Sequence, residues 1–150
     1  MTSPTLARTM DPTAPLPRRR SLLPLRRALL VLRIGTPLLF LAHAVTRVAL
    51  DTIPQFALYL GRLGFPAPTL VVWAITVTEA VAGVLLLMGR HVRWACAALA
   101  SIAAGGIVLI HARLGWFVGE HGTGGSEYSV CLLMCLLVLA AADERPSAPP

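Results

Sequence analysis

Glu79 is the one acidic side chain in the uncharged run from Thr69 to Met88, a stretch long enough to cross a bilayer. An ionisable group at that depth needs a partner, a neutralising proton or a path to water. Three further apolar runs carry the other groups with chemistry to offer. His43 and Arg47 stand four residues apart, one helical turn, and so share a face. His111 closes a third run and Glu127 opens a fourth. At about 1.5 Å per residue, Glu79 lies roughly 15 Å below a helix start near Thr69, close to the midplane. His43 falls nearest to it in depth, and Arg47 either pairs with it or reaches outward. A carboxyl group so placed serves as a proton acceptor or as half of a buried ion pair. The imidazoles relay protons, hydrogen-bond a carbonyl oxygen or take part in structural hydrogen bonds, since each ring holds a donor and an acceptor near neutral pH. Two histidines and carboxylates on separate helices match no metal or haem motif, so no metal site is expected.

The remaining candidates read as packing or loop residues. Cys131 and Cys135 are also four apart, which holds their Cβ atoms about 5 to 6 Å from each other, beyond disulfide range. Cys96 comes to a similar depth as Cys135, and all three cysteines are read as small apolar packing residues. Gly105 and Gly106 suggest close helix packing. The Gly122-Thr123-Gly124-Gly125 stretch lacks the ending and the preceding strand of a phosphate loop. His91 and His121 are expected in loops.

Composition says which elements must hold these groups. The chain of 150 residues is 56% hydrophobic and only 13% charged, about half the charge fraction of a soluble domain. Its apolar residues come in four blocks: Ala28 to Leu50, Thr69 to Met88, Trp94 to Ala112 and Tyr128 to Ala142. Three meet the requirement of about 20 residues for a span; the fourth must recruit Ser126 and Glu127. The expected fold is all-α, a bundle of four transmembrane helices over residues 28–142. It is flanked by a disordered Arg/Pro-rich tail (1–27) and a short second tail (143–150). Ile53 to Leu63 mixes apolar and polar residues as a short interfacial helix would, ending near Gly61 or Gly64. The Gly89–Arg93 turn makes the second and third spans antiparallel neighbours. Trp73, Trp94 and Trp116 fall near span ends, where indoles anchor at the interface.

All thirteen basic residues are arginine. Ten lie in the tails, at the opening of the first block or in the Gly89–Arg93 turn, while Arg47, Arg62 and Arg113 lie on the other side. The positive-inside rule then places both termini in the cytoplasm and the chain in the cell's inner or plasma membrane as a multi-pass protein. The net charge of +6 is a topology signal; no folded basic face points to nucleic acid. The arginine-rich start followed by an apolar run also resembles a signal peptide. That run exceeds the usual apolar core of about 7 to 15 residues and contains His43 and Arg47, so cleavage is not expected.

These blocks carry a resemblance to the DoxX family of small four-helix membrane proteins. It is carried by Leu32-Arg33-Ile34-Gly35, then Leu39-Phe40-Leu41 with His43 to Arg47, and Leu63-Gly64-Phe65-Pro66. It continues through Glu79 with Gly83 and Leu85 to Gly89, Arg93, His111 with Gly115-Trp116-Phe117, and Gly125 with Glu127-Tyr128. The chain departs after residue 142, where many relatives run through a Gly-rich turn into a Ser-x-Asp motif. The resemblance implies a membrane subunit of a quinone-linked or thiol/thiosulfate redox system. Arg33 joins the polar family-like positions. Glu79, His43 and His111 would be the proton-handling residues, and Arg47, Glu127 and Trp116 would hold the cofactor. That cofactor would be a quinone; the chain itself carries no flavin, haem or iron–sulfur motif. The expected partners are the lipid bilayer and a redox protein or a second copy of the chain. The alternatives are a noncatalytic membrane scaffold and a proton-coupled transporter of small solutes.

Overall fold

The computed structural model describes residues 23–118 and 124–143. The tail up to residue 22, His121 and the segment from residue 144 lie outside the described residues. The regular elements among the described residues are all helical: α1 (Leu25–Ala49), α2 (Ile53–Arg62), α3 (Pro68–Met88), α4 (Val92–Leu109), a 3-10 turn at His111–Leu114, and α5 (Glu127–Ala142). α1, α3 and α4 are each long and apolar enough to cross a membrane. α5 is apolar but has 16 residues, about 24 Å of helix at 1.5 Å per residue. The expected four-helix bundle is thus three span-length helices and one shorter one. α1 begins three residues before the apolar block, taking in Arg26 and Arg27. α4 ends at Leu109 instead of Ala112, because His111 to Leu114 tighten into the 3-10 turn.

The four long helices close a ring. α1 packs on α3, α3 on α4, α4 on α5, and α5 returns to α1, while α2 leans on α3. α3 and α4 are neighbours, as the short turn between them requires. Each helix turns one stripe inward: Val92, Ala95, Cys96, Leu99 and Ala103 on α4, and Ser129, Leu132, Leu136 and Leu139 on α5. Phe40, Ala82, Leu86 and these α4 and α5 residues other than Ser129 form the main apolar core. The outward faces are as apolar as the core. Leu70, Trp73, Val77, Val81, Val84 and Met88 of α3 are all exposed, an arrangement that suits hydrocarbon and not water.

At the α3–α1 contact, a Cβ on Gly83 would come within 2.9 Å of Leu41 Cγ. Gly105 and Gly106 differ from the packing expectation. A Cβ on Gly105 would meet nothing within 4 Å, and one on Gly106 would touch only the His111 ring at 3.7 Å. These glycines leave space in the interior. Cys96, Cys131 and Cys135 are all free thiols.

Candidate functional site

Glu79 belongs to the buried stripe of α3, which runs Val72, Thr76, Glu79, Ala82, Gly83 and Leu86 at helical spacing. Its side chain is only 4% exposed. Arg47, near the end of α1, reaches across to it: Nη1 donates to Glu79 Oε2 at 2.7 Å and to Thr76 Oγ1 at 2.9 Å. The Thr76 hydroxyl donates to the Val72 carbonyl oxygen at 2.8 Å. A charge taken from water is costly unless it is paired and hydrogen-bonded, and this arrangement supplies both. Phe56 of α2 lies under the guanidinium, 5.5 Å from carbon to ring centre, adding a cation–π contact.

α2 can put Phe56 there because the corner after α1 is tightly tied. The Thr52 N–H donates to the Arg47 carbonyl oxygen at 3.0 Å, and the Thr52 hydroxyl donates to the same oxygen at 3.4 Å. Pro54 sits in the first turn of α2, where its missing N–H costs no helical bond. Ile53, Ala57 and Leu60 then bury against Val72, and Tyr59 donates its hydroxyl to the Leu109 carbonyl oxygen of α4 at 2.7 Å. The interfacial segment is therefore fastened to α1, α3 and α4 together.

Beside the ion pair lies a cavity of about 810 Å³. His43, Arg47, Glu79 and His111 all line it. The rest of its wall is mainly apolar, with Leu39, Phe40, Leu60, Phe65, Ile75 and Leu132 among its residues, and Ser101, Gly105 and Gly106 give α4 a thin side. A large apolar cavity with a few convergent polar groups is the usual form of a small-molecule site. His43 shares the α1 face with Arg47 as its spacing predicts. Nδ1 of His111 is buried with no hydrogen-bond partner among the described residues, and a buried polar atom of this kind calls for one.

Glu127 and Trp116 are not on that wall; they build its roof. Glu127 Oε1 accepts the Val118 N–H at 2.9 Å, and the Glu127 N–H donates to the Trp116 carbonyl oxygen at 3.1 Å. Ser126 N–H donates to the Gly115 carbonyl oxygen at 3.1 Å. The two strands of chain approach so closely that a Cβ on Gly125 would run into the carbonyl oxygens of Trp116 and Phe117. Val118, Gly124, Gly125 and Tyr128 then line this side of the cavity. The Trp116 side chain is half exposed, in keeping with an interface anchor. Arg33 lies elsewhere, at the other end of the bundle.

Thr76 and Phe56 were not singled out in the sequence. Thr76 had a signal, three residues before Glu79 on the same helical face; Phe56 had none beyond its place on an amphipathic segment. Among the described residues no group of histidine, cysteine and carboxylate side chains is arranged to hold a metal.

No curated protein and no solved structure matches the chain significantly. The DoxX family model matches residues 28–112, a segment that carries His43, Arg47, Glu79 and His111 and stops short of Trp116 and Glu127. That match covers more than half of the chain's 150 residues, and with the apolar helical bundle it makes this chain a member of the DoxX family of membrane proteins.

Proposed function

We propose that the chain is the membrane subunit of a quinone-linked redox system and that the cavity beside Glu79 receives the quinone headgroup. The observation that carries this reading is the 810 Å³ chamber with Arg47, Glu79, His43 and His111 among its lining residues. Its size suits a substituted ring, and its apolar lining suits a molecule that partitions into lipid. A bound quinone takes up two electrons and two protons; the electrons come from a cofactor on a partner protein, of the thiol- or thiosulfate-oxidising kind that the family implies.

The residues of this chain divide the remaining work. Arg47 has guanidinium donors beyond the Nη1 already committed to Thr76 and Glu79, and presents positive charge where a carbonyl oxygen gains negative charge. Glu79 fixes that guanidinium in place, and its second oxygen accepts no hydrogen bond from the described residues, so it is free to take and return a proton. His111 offers Nδ1, and His43 supplies a second imidazole on the α1 side. Glu127 and the Trp116 backbone hold together the segment that borders the chamber on their side.

A noncatalytic scaffold is the second reading. The specific observation in its favour is the direct Arg47–Glu79–Thr76 network, which would tie α1 to α3 whether or not anything binds.

Binding of a short-tailed quinone analogue to the protein in lipid nanodiscs, measured by titration calorimetry against empty nanodiscs, separates the two. Saturable binding of one analogue per chain is expected, weakened at least about 10-fold by His111→Ala, the loss of one good hydrogen bond in an apolar site. Trp116→Phe should leave it unchanged. No saturable binding to a folded protein would leave the scaffold reading standing alone.

A further inference from the structure

A second concavity, of about 580 Å³, opens at the opposite end of the bundle. We infer that it is a binding site for the headgroup and upper acyl chains of an anionic glycerophospholipid. Its polar wall is Arg26, Arg27 and Arg33, and its apolar wall includes Leu29, Leu30 and Leu139. One carboxylate, Asp143, also borders it, and no ion pair joins that carboxylate to any of the three arginines among the described residues. Three guanidinium groups against one carboxylate leave the wall with a net positive charge. The N-terminus of α1, which begins at Leu25, adds to the field, since the positive end of its helix dipole lies at the same place.

The charge is held in position by the backbone. Gly89 ends α3 in the left-handed conformation, φ 68°, which glycine adopts without steric cost. The guanidinium of Arg33 occupies the space that a Cβ at Gly89 would need. Arg33 is thereby pinned against the α3 terminus at the groove's edge, and Arg26 and Arg27 extend from the exposed first turn of α1.

Charge complementarity alone would suit any phosphate. The apolar wall selects a lipid. Leu30, at the groove, is 54% exposed, and the exposed face continues along α1 through Val31, Ile34 and Leu38. A phosphate seated among the arginines therefore has an apolar track beneath it for acyl chains, whereas free phosphate makes no use of that track. Anionic lipids gain roughly 1 kcal/mol for each arginine near the membrane surface, about a 5-fold change in affinity.

The test is native mass spectrometry of the full chain released from detergent, titrated with phosphatidylglycerol and with phosphatidylcholine of the same acyl chains. Phosphatidylglycerol should bind more tightly. The Arg27→Gln/Arg33→Gln pair should weaken it about 25-fold, while Arg90→Gln/Arg93→Gln, which removes equal charge from the neighbouring turn, should leave it nearly unchanged. Should the Arg33 variant fail to fold, Arg26→Gln/Arg27→Gln, at exposed positions, is expected to give the same loss. Equal losses from the groove and turn pairs, equal binding of the two lipids, or displacement of the lipid by inorganic phosphate at matched concentration would each overturn the proposal.

Discussion

A guanidinium and a carboxylate carried together into a bundle interior each forfeit several kcal/mol of hydration, and they regain it only through good geometry with each other and their neighbours. Arg47 and Glu79 meet at 2.7 Å with Thr76 as a third member. Removing one charge leaves the other stranded, whereas removing both leaves an apolar contact between α1 and α3. Glu79→Gln should therefore lower stability by about 3 kcal/mol, and Arg47→Met/Glu79→Leu should return to within about 1 kcal/mol of the parent. Thermal unfolding in micelles measures both. The double variant also separates structure from chemistry: it should fold well and yet lose quinone-analogue binding. Retained binding would show that the pair only joins two helices. Glu79, Arg47, His43 and His111 were legible in the sequence because ionisable groups are conspicuous in apolar runs. Thr76 and Phe56 were not, since a threonine in a helix and a phenylalanine in an interfacial segment are ordinary. The Glu127 carboxylate was placed correctly at the helix start, but nothing in the residue type said that the Val118 amide would claim it.

Helices were the most legible elements, because uncharged runs of span length leave the backbone few alternatives in lipid. Their faces were less so. Uniformly apolar helices have no polar side to mark the outside, and so the pairing of Gly83 with Leu41 and the open space at Gly105 appear only in three dimensions. The two glycines should behave oppositely. Gly83→Ala forces Leu41 aside and should cost about 1 to 3 kcal/mol. Gly105→Ala, with nothing within 4 Å of the new Cβ, should be neutral or stabilise by roughly 0.5 to 1 kcal/mol through helix propensity. Unfolding midpoints of the two variants side by side check this; equal losses would contradict the packing described for α3 and α4. The roof over the cavity gives another expected outcome. Gly125→Ala has no room against Trp116 and Phe117, so the two strands must part and the Val118 amide should exchange its hydrogen faster. Unchanged exchange at Val118 would mean that the contact is looser than it stands here.

At the scale of the whole molecule, the arginines and the helix count make one joint statement about orientation. Among the described residues, five arginines (Arg26, Arg27, Arg33, Arg90 and Arg93) lie at the end that holds the start of α1 and the α3–α4 turn, and three (Arg47, Arg62 and Arg113) lie at the other. On the positive-inside rule we propose that the first end faces the cytoplasm. Both chain ends then share a side only if α5 crosses, and α5 is the short helix, about 24 Å against a hydrocarbon core of about 30 Å. Its flanks make up the difference by local thinning of the bilayer or by little tilt. Single cysteines introduced into a chain whose native Cys96, Cys131 and Cys135 are replaced by alanine resolve both points. Arg62→Cys, Arg90→Cys and Ala142→Cys all stand at exposed positions. A membrane-impermeant maleimide should label Arg62→Cys in intact cells, and the other two only after permeabilisation. Labelling of Arg90→Cys from outside would invert the molecule. Labelling of Ala142→Cys alone from outside would make α5 a helix that dips into the bilayer and returns, with the arginine groove and the cavity then bounded by a helix that does not cross.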